Sequence, residues 1–346
     1  MPVSIAMTSV RGLGPLPGLI EARAGEEVAR RAMERVGVLR MPDDMPAPMM
    51  PLKDMVSLFD LAATVTGDGL IGLEAGRDMD EFGSWTVYAR AAGTLRECLG
   101  RLIRGLAYHQ SGAALFLSRE GPLARLAYHV PIGSPQHRAQ HAEHTIPPLL
   151  TTFRLYLGPD WSPDRIEVDY PRTRRLLAVS ESLAVPIIAD APAPAIVFPA
   201  EALDARRLAP QITPPLSLGE LRTMVRERAP RTVSGTVSAV VETRLAHGGA
   251  NLSVVAAHLG LSERTLQRRL GQEGTHFNTL VDEVRLKQAE RLLQRDDIQI
   301  TEVAFRLGFS DPAHFTRAFR RLTSHTPTLY RKALRQHGRA PNDRSA

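Results

Sequence analysis

One eight-residue pattern occurs twice near the C-terminus, 48 residues apart. Val255-Ala256-Ala257-His258-Leu259-Gly260-Leu261-Ser262 is matched by Val303-Ala304-Phe305-Arg306-Leu307-Gly308-Phe309-Ser310, and each copy runs into a segment carrying arginine. An apolar helix that stops at glycine, a short turn opened by serine and then a polar-faced helix is the sequence form of a helix-turn-helix. Two such units in tandem constrain the last third of the chain to a small all-helical domain whose exposed faces suit DNA.

The charge distribution agrees. Residues 235–346 hold 17 Lys and Arg against 11 Asp and Glu, whereas residues 1–234 hold 26 of each, so the net +6 lies in the region of the repeat. Phosphate binding by one domain and a different task for the other predict that asymmetry. A length of 346 residues suits two domains, and a 43% hydrophobic content excludes wholesale disorder. Cys98 is the only cysteine, which rules out an intrachain disulfide and fits a reducing compartment. No window resembles a membrane span or a secretory leader, and the expected location is cytoplasmic.

The repeat can be read residue by residue. A first helix is expected over about 236–246, ended by Gly248-Gly249. Asn251 caps the next, with Leu252, Val255, Ala256 and Leu259 on one face. Ser262 caps a third, in which Leu266 and Leu270 point inward while Arg264, Thr265, Gln267 and Arg268 face solvent or DNA. Arg and Gln can pair bidentately with base edges. Thr275 or Asn278 opens a long helix to about Arg295, and some 19 residues at about 1.5 Å each give a rod of about 28 Å. That rod can hold two heads in successive major grooves, one duplex turn of roughly 34 Å apart. In the second unit Phe315 and Phe319 point inward, leaving Ala313, His314, Thr316, Arg317, Arg320 and Arg321 outward.

Upstream, helical patterns are expected over 19–40, over 52–66 with Leu58, Leu61, Ala62 and Val65 on one buried face, and over 93–111. Strand-like runs cover Ala114 to Leu117, Leu123 to Val130, Arg165 to Tyr170 and Ala195 to Phe198. Pro199 to Thr236 reads as a connector with a short helix near Ser217–Arg228. Gly12-Leu13-Gly14 is assigned to a flexible tail, since no strand precedes it and no Lys-Ser/Thr follows.

Residues 235–335 resemble the DNA-binding domain of the AraC/XylS family. The resemblance lies in Leu270-x-x-Glu273-Gly274-Thr275-x-Phe277, Arg285 with Ala289 and Leu292, the run from Ile300 through Leu307-Gly308-Phe309-Ser310-Asp311 to Phe315-x-Arg317-Ala318-Phe319-Arg320-Arg321, and Pro327-x-x-Tyr330-Arg331. Ser324 departs from the usual glycine, and Gln299 is a weak cap. More faintly, Leu58-Phe59-Asp60-Leu61-Ala62-Ala63, Gly67-Asp68, Gly72-Leu73-Glu74-Ala75-Gly76 and Phe82-Gly83 resemble the effector-sensing domain of a subgroup related to ornithine-utilisation and virulence regulators. A cupin-barrel sensor does not fit the helix-rich start.

The resemblance implies a ligand-responsive transcription regulator, an activator that recruits RNA polymerase, with an unidentified small-molecule effector, a double-stranded DNA operator and a homodimeric state. The expected architecture is an α+β N-terminal sensor domain over 15–200, a linker over 201–234, an all-α domain over 235–335 with two helix-turn-helix units joined by a long helix, and a flexible tail over 336–346. Base contacts are assigned to Arg264, Gln267, Arg268, Pro312, Ala313, His314, Thr316 and Arg317, and phosphate contacts to Ser262, Thr265, Ser310, Arg320 and Arg321. The first head, richer in base donors, is expected to carry more specificity.

Phe82, Trp85, Tyr88, Tyr108 and Phe116 are the candidate lining of an apolar effector pocket, against the plainer reading of core aromatics. His137, His141 and His144, at helical spacing, offer a metal-responsive alternative, but the same stretch reads as a solvated helix and no metal is assigned. Arg172, Arg174 and Arg175, after the strand at 165–170, offer a clamp for an anionic effector, against the plainer reading of a solvated turn, which is the one expected. No nucleophile-base pair, metal motif or phosphate loop supports an enzymatic N-terminal domain tethered to DNA, and no cofactor or catalytic residue is expected.

Overall fold

The structure, a computed structural model, describes residues 5–38, 49–77, 84–208, 230, 232–245, 250–295 and 297–338. The chain divides into two compact units, residues 1–231 and 232–346. The expected helix near Ser217–Arg228 and the Gly248-Gly249 stop lie outside the described residues.

In the first unit, β1 (Met7–Ser9) pairs antiparallel with β2 (Met49–Pro51). A 3₁₀ turn (Val10–Leu13), α1 (Leu16–Ala24) and α2 (Glu26–Arg35) follow β1 in sequence. The tail expected at Gly12-Leu13-Gly14 is therefore ordered structure, with Met7 and Leu13 buried. Its backbone finds distant partners: the Met7 amide donates to Ser111 Oγ at 2.9 Å and the Ser9 amide to the His109 carbonyl at 2.9 Å. The single helix expected over 19–40 is two, broken at Gly25, whose φ of +91° is glycine territory. In α3 (Leu52–Thr66) Leu58 and Ala62 are buried as expected, but Val65 is exposed; Met55, Val56 and Phe59 complete the inner face.

Among the described residues five strands form the main sheet: β3 (Ala114–Glu120), β4 (Leu123–His129), β5 (Arg165–Glu167), β6 (Ile187–Ile188) and β7 (Ala195–Pro199). Their order is β3-β4-β7-β5-β6, antiparallel except for the β5–β6 pair. Register aligns Leu117, Leu126, Ile196, Ile166 and Ile187 in one row across all five strands. With a side-chain period of two, that row defines one face of the sheet. On it pack Leu99 of α6 (Leu95–Gly105), Phe153 of α8 (Ile146–Leu157) and Val179 of α9 (Arg174–Leu183). The mixture is α+β, as the sequence predicts.

Against this core lie α4 (Ile71–Arg77), α5 (Ser84–Arg90) and α7 (Ala139–His144). Gly72 and Gly76 make the contact of α4 with α7: a Cβ on Gly72 would stand 2.3 Å from the Gln140 carbonyl oxygen, and one on Gly76 2.2 Å from that of His144. Gln140 then fastens the loop before α4, its Oε1 accepting from the Gly72 amide at 2.9 Å and its Nε2 donating to the Gly69 carbonyl at 2.7 Å.

The second unit contains seven helices among the described residues: α10 (Val233–Arg244), α11 (Leu252–His258), α12 (Glu263–Gln272), α13 (Phe277–Leu293), α14 (Ile300–Arg306), α15 (Pro312–Thr323) and α16 (Pro327–Gly338). The two copies of the repeat end alike. Gly260 and Gly308 have φ of +68° and +74°, and the amides of Leu261 and Phe309 donate back to Ala256 and Ala304, the Schellman closure that satisfies end-of-helix carbonyls. No single helix among the described residues is long and apolar enough to cross a membrane.

Gly76→Ala is expected to cost about 1–3 kcal/mol or more, because a backbone carbonyl rather than a flexible side chain must give way. Gly18→Ala in α1, where a Cβ would meet nothing within 4 Å, is expected to be neutral or to stabilise by up to about 1 kcal/mol. Thermal unfolding of the two variants side by side checks this.

Candidate functional site

Two helices present the predicted reading surfaces. Ser262 Oγ accepts from the Thr265 amide and starts α12, burying Leu266 and Leu270. Arg264, Gln267 and Arg268, at i, i+3 and i+4, are consequently exposed together on the opposite side. Thr265 is half-buried, its hydroxyl 2.8 Å from that of Ser262. Helix α15 begins at Asp311, whose carboxylate accepts from the Ala313 and His314 amides; this cap was not singled out in the sequence, although Asp before Pro at a helix start is a legible signal. Ala313, His314, Arg317, Arg320 and Ser310 are exposed, and Pro312 and Thr316 are half-buried. The Thr316 hydroxyl donates to the Pro312 carbonyl at 3.0 Å. Arg321 is tied to Asp282 of the connector at 3.1 Å.

The connector α13 has 17 residues, hence about 25 Å. It starts at His276, which makes no side-chain cap, instead of at Thr275 or Asn278. From α13, Arg285 sets its guanidinium 4.7 Å from the Phe309 ring centroid, and Phe309 meets the His314 ring edge-on at 5.5 Å. The connector thus supports the second head through an aromatic contact that the spacing alone does not reveal. Ser324 ends α15 in the left-handed region at φ +63°, a conformation that costs a non-glycine residue roughly 1 kcal/mol.

The first unit contains a cavity of about 50 Å³, lined by Trp85, His109, Gln110, Tyr128, His141 and His144 among others. One water needs roughly 10–15 Å³, so the space admits several waters or a small molecule. Of the predicted aromatic lining only Trp85, among the described residues, is placed there. Phe82 lies outside the described residues. Tyr88 and Tyr108 are buried in the main core, and Phe116 is 57% exposed because it stands on an edge strand one position out of phase with the inward row. Gly12 closes the wall, with a Cβ there 3.1 Å from Met55 and 3.4 Å from His109.

The histidine trio does not converge. Helix α7 begins at Ala139, so His137 sits in the preceding turn, half-exposed beside Asp60 and Ser57, while His141 and His144 are buried. Among the described residues no group of three or more His, Cys, Asp or Glu is arranged to hold a metal ion. Arg175 departs from the expected solvated turn: its Nη1 reaches both carboxylate oxygens of buried Glu143, at 2.6 and 2.5 Å, and the Tyr170 hydroxyl donates to the same carboxylate. His109, whose role nothing in the sequence marked, stacks on Trp85 at 5.4 Å. Burial depresses His109 and His144 from 6.5 to about 4 and His141 well below its ordinary range, with the neighbouring rings adding to the effect on His109 and His141. The cavity therefore presents neutral imidazoles. Cys98 is fully buried, and desolvation pushes its thiol up to about 11, so it is packing and not a nucleophile.

The two halves of the chain match known families separately. Residues 28–206 match the arabinose-binding domain of AraC transcription regulators, N-terminal, and residues 255–333 match a helix-turn-helix domain. The first match alone spans more than half of the chain. The chain belongs to the AraC family of transcription regulators. Relatives include the HTH-type transcriptional regulator GlxA of Rhizobium meliloti, 43% identical over 81 residues, covering 23% of this chain and 25% of GlxA. The transcriptional activator NphR of a Rhodococcus species is 36% identical over 96 residues, 28% of this chain and 29% of NphR. These stretches thus span only a quarter to a third of either relative. An uncharacterised HTH-type regulator of Mycobacterium tuberculosis aligns more broadly, 25% identical over 305 residues, 83% of this chain and 86% of that protein.

The depressed imidazoles set a pH dependence for this family member. His109 and His144 titrate near 4 when folded and near 6.5 otherwise, so the unfolded chain takes up protons first. The stability they contribute is complete above about 6.5 and is lost as pH falls toward 4, by a few kcal/mol. Both tryptophans, Trp85 and Trp161, lie in the first unit, so urea unfolding followed by their emission reads it; the midpoint should drop between pH 6.5 and 4, and less so in His109→Asn.

Proposed function

We propose that this regulator is a cytoplasmic, effector-responsive activator that reads two successive major grooves of an operator with two unequal heads. What carries the reading is the pair of capped helices, in equivalent frames 48 residues apart, each with a buried apolar face and an exposed polar one. Arg264, Gln267 and Arg268 would take base edges in one groove; His314 and Arg317, with Pro312, Ala313 and Thr316 beside them, would take the next. Ser262, Thr265, Ser310 and Arg320 would hold phosphates. Arg321 joins them only by leaving Asp282.

The cavity beside Trp85 is assigned to the effector, in keeping with the likeness of residues 28–206 to an arabinose-binding domain. Activation is supported by the likeness to NphR, a transcriptional activator; it would proceed through RNA polymerase, and a homodimer would serve effector control. A non-palindromic site suffices for one chain, since the two heads differ.

Duplexes selected from a random pool provide the test, titrated at fixed salt. Arg268→Ala is expected to weaken specific binding by about 1–3 kcal/mol and relax one base position, and Arg317→Ala to do so by less. Arg320→Ala should weaken all sequences alike and lower the salt slope by about 0.9. Unchanged affinity in both Arg268→Ala and Arg317→Ala would sink the assignment.

A further inference from the structure

Asp282 stands on the connector α13, and its carboxylate takes Arg321 of α15 at 3.1 Å. Arg321 follows Arg317 by four residues and His314 by seven, so it shares their stripe on the exposed side of the helix. A carboxylate of the connector thus reaches the surface assigned to DNA and occupies one of its arginines. Stability is a poor reason for the pair. Arg321 is 68% exposed and Asp282 32%, and an ion pair so wet shifts an equilibrium by about fivefold at most. Other contacts fasten the second head to the connector: Arg285 lies 4.7 Å from the Phe309 ring centroid, the Tyr330 hydroxyl donates to Glu290 at 2.7 Å, and Arg331 Nε donates to the Leu293 carbonyl at 3.2 Å.

We infer that Asp282 is a brake on DNA affinity: it occupies the Arg321 guanidinium, which a phosphate of the duplex must win away before the second head can use it. This rests on the proposed phosphate-facing role of that head. Releasing Arg321 does not strand the carboxylate, which is partly in water already and keeps Arg285, one turn along α13, as a cationic neighbour in the same crevice. The exchange is therefore open to a phosphate, but at a cost. Phosphates carry no sequence information, so the brake weakens binding to every duplex alike. An arginine held by a neighbouring carboxylate also displaces fewer counterions from DNA than a free one. Binding is thus less salt-dependent than the arginines of the second head alone would make it.

The full chain and its Asp282→Asn form are titrated with the selected duplex and with one of scrambled sequence, between about 50 and 200 mM salt. Asp282→Asn keeps the size of the side chain and removes its charge. It is expected to bind both duplexes about two- to fivefold more tightly, with a salt slope steeper by up to about 0.9. A merely structural role would give weaker binding, never a gain. In an Arg321→Ala background the same change is expected to do nothing. Unchanged or weaker binding by folded Asp282→Asn overturns the inference, as does a gain that survives in Arg321→Ala or is confined to one duplex; if Asp282→Asn does not fold, Asp282→Ser takes its place, with the same gain expected. Arg320→Ala, measured alongside, separates the brake from the reading beneath it. If Arg320→Ala weakens binding and flattens the slope while Asp282→Asn changes neither, the phosphate face stands and the brake falls. If neither variant moves affinity, both fall.

Discussion

The first unit is organised around the burial of six consecutive residues, 139–144, four of which are polar. Such a helix is tolerable in a core only if nearly every polar group is met. Gln140 is met by the backbone of Gly69 and Gly72, Glu143 by Arg175 and Tyr170, and His144 Nδ1 by the His141 carbonyl. Close approach of α4 makes this possible, and Gly72 and Gly76 permit that approach. Glu143 shows the cost of the arrangement: desolvation raises its pKa against the opposing pull of Arg175 and Tyr170. Removing one partner of such a buried pair is far more damaging than the net worth of the pair. What remains unmet is His141 Nδ1.

The second unit depends on a different constraint. Each helix-turn-helix must stop a helix abruptly and restart it at a fixed angle, and Gly260 and Gly308 do this in the left-handed region. Downstream of that shared turn the two heads part. The first has Ser262 at its cap and Arg264, Gln267 and Arg268 free of the core. The second has an exposed carboxylate, Asp311, at its tip, a half-buried Thr316 occupied with its own backbone, and Arg321 drawn toward Asp282. The inequality proposed for reading DNA thus has a structural counterpart in what each surface residue is already doing.

Local signals were legible and distant ones were not. Asn251 and Ser262 as caps, the inward Leu266 and Leu270, and the strands at 114–120 and 123–129 follow from propensity and period, which neighbouring residues settle. The N-terminal strand escaped because its partners, Met49 to Pro51 and residues 109–111, are remote in sequence. His137, His141 and His144 mislead because their helical spacing does not reveal that the helix starts at Ala139, two residues after His137. Phe116 misled because aromatic character says nothing of which side of an edge strand a residue faces. Arg175 looked solvated since its carboxylate partner lies 32 residues away. The cavity itself, assembled from α5, α7 and the segments around His109 and Tyr128, had no signature in any single stretch.

The central claim is that one chain reads DNA with two unequal heads about one duplex turn apart. Methylation interference on the selected duplex, with the full chain bound, measures it directly. The account predicts two clusters of guanine interference centred about 10 base pairs apart, with the stronger cluster lost in Arg268→Ala and the weaker retained. A single cluster, or two of equal strength that both survive that substitution, would contradict it.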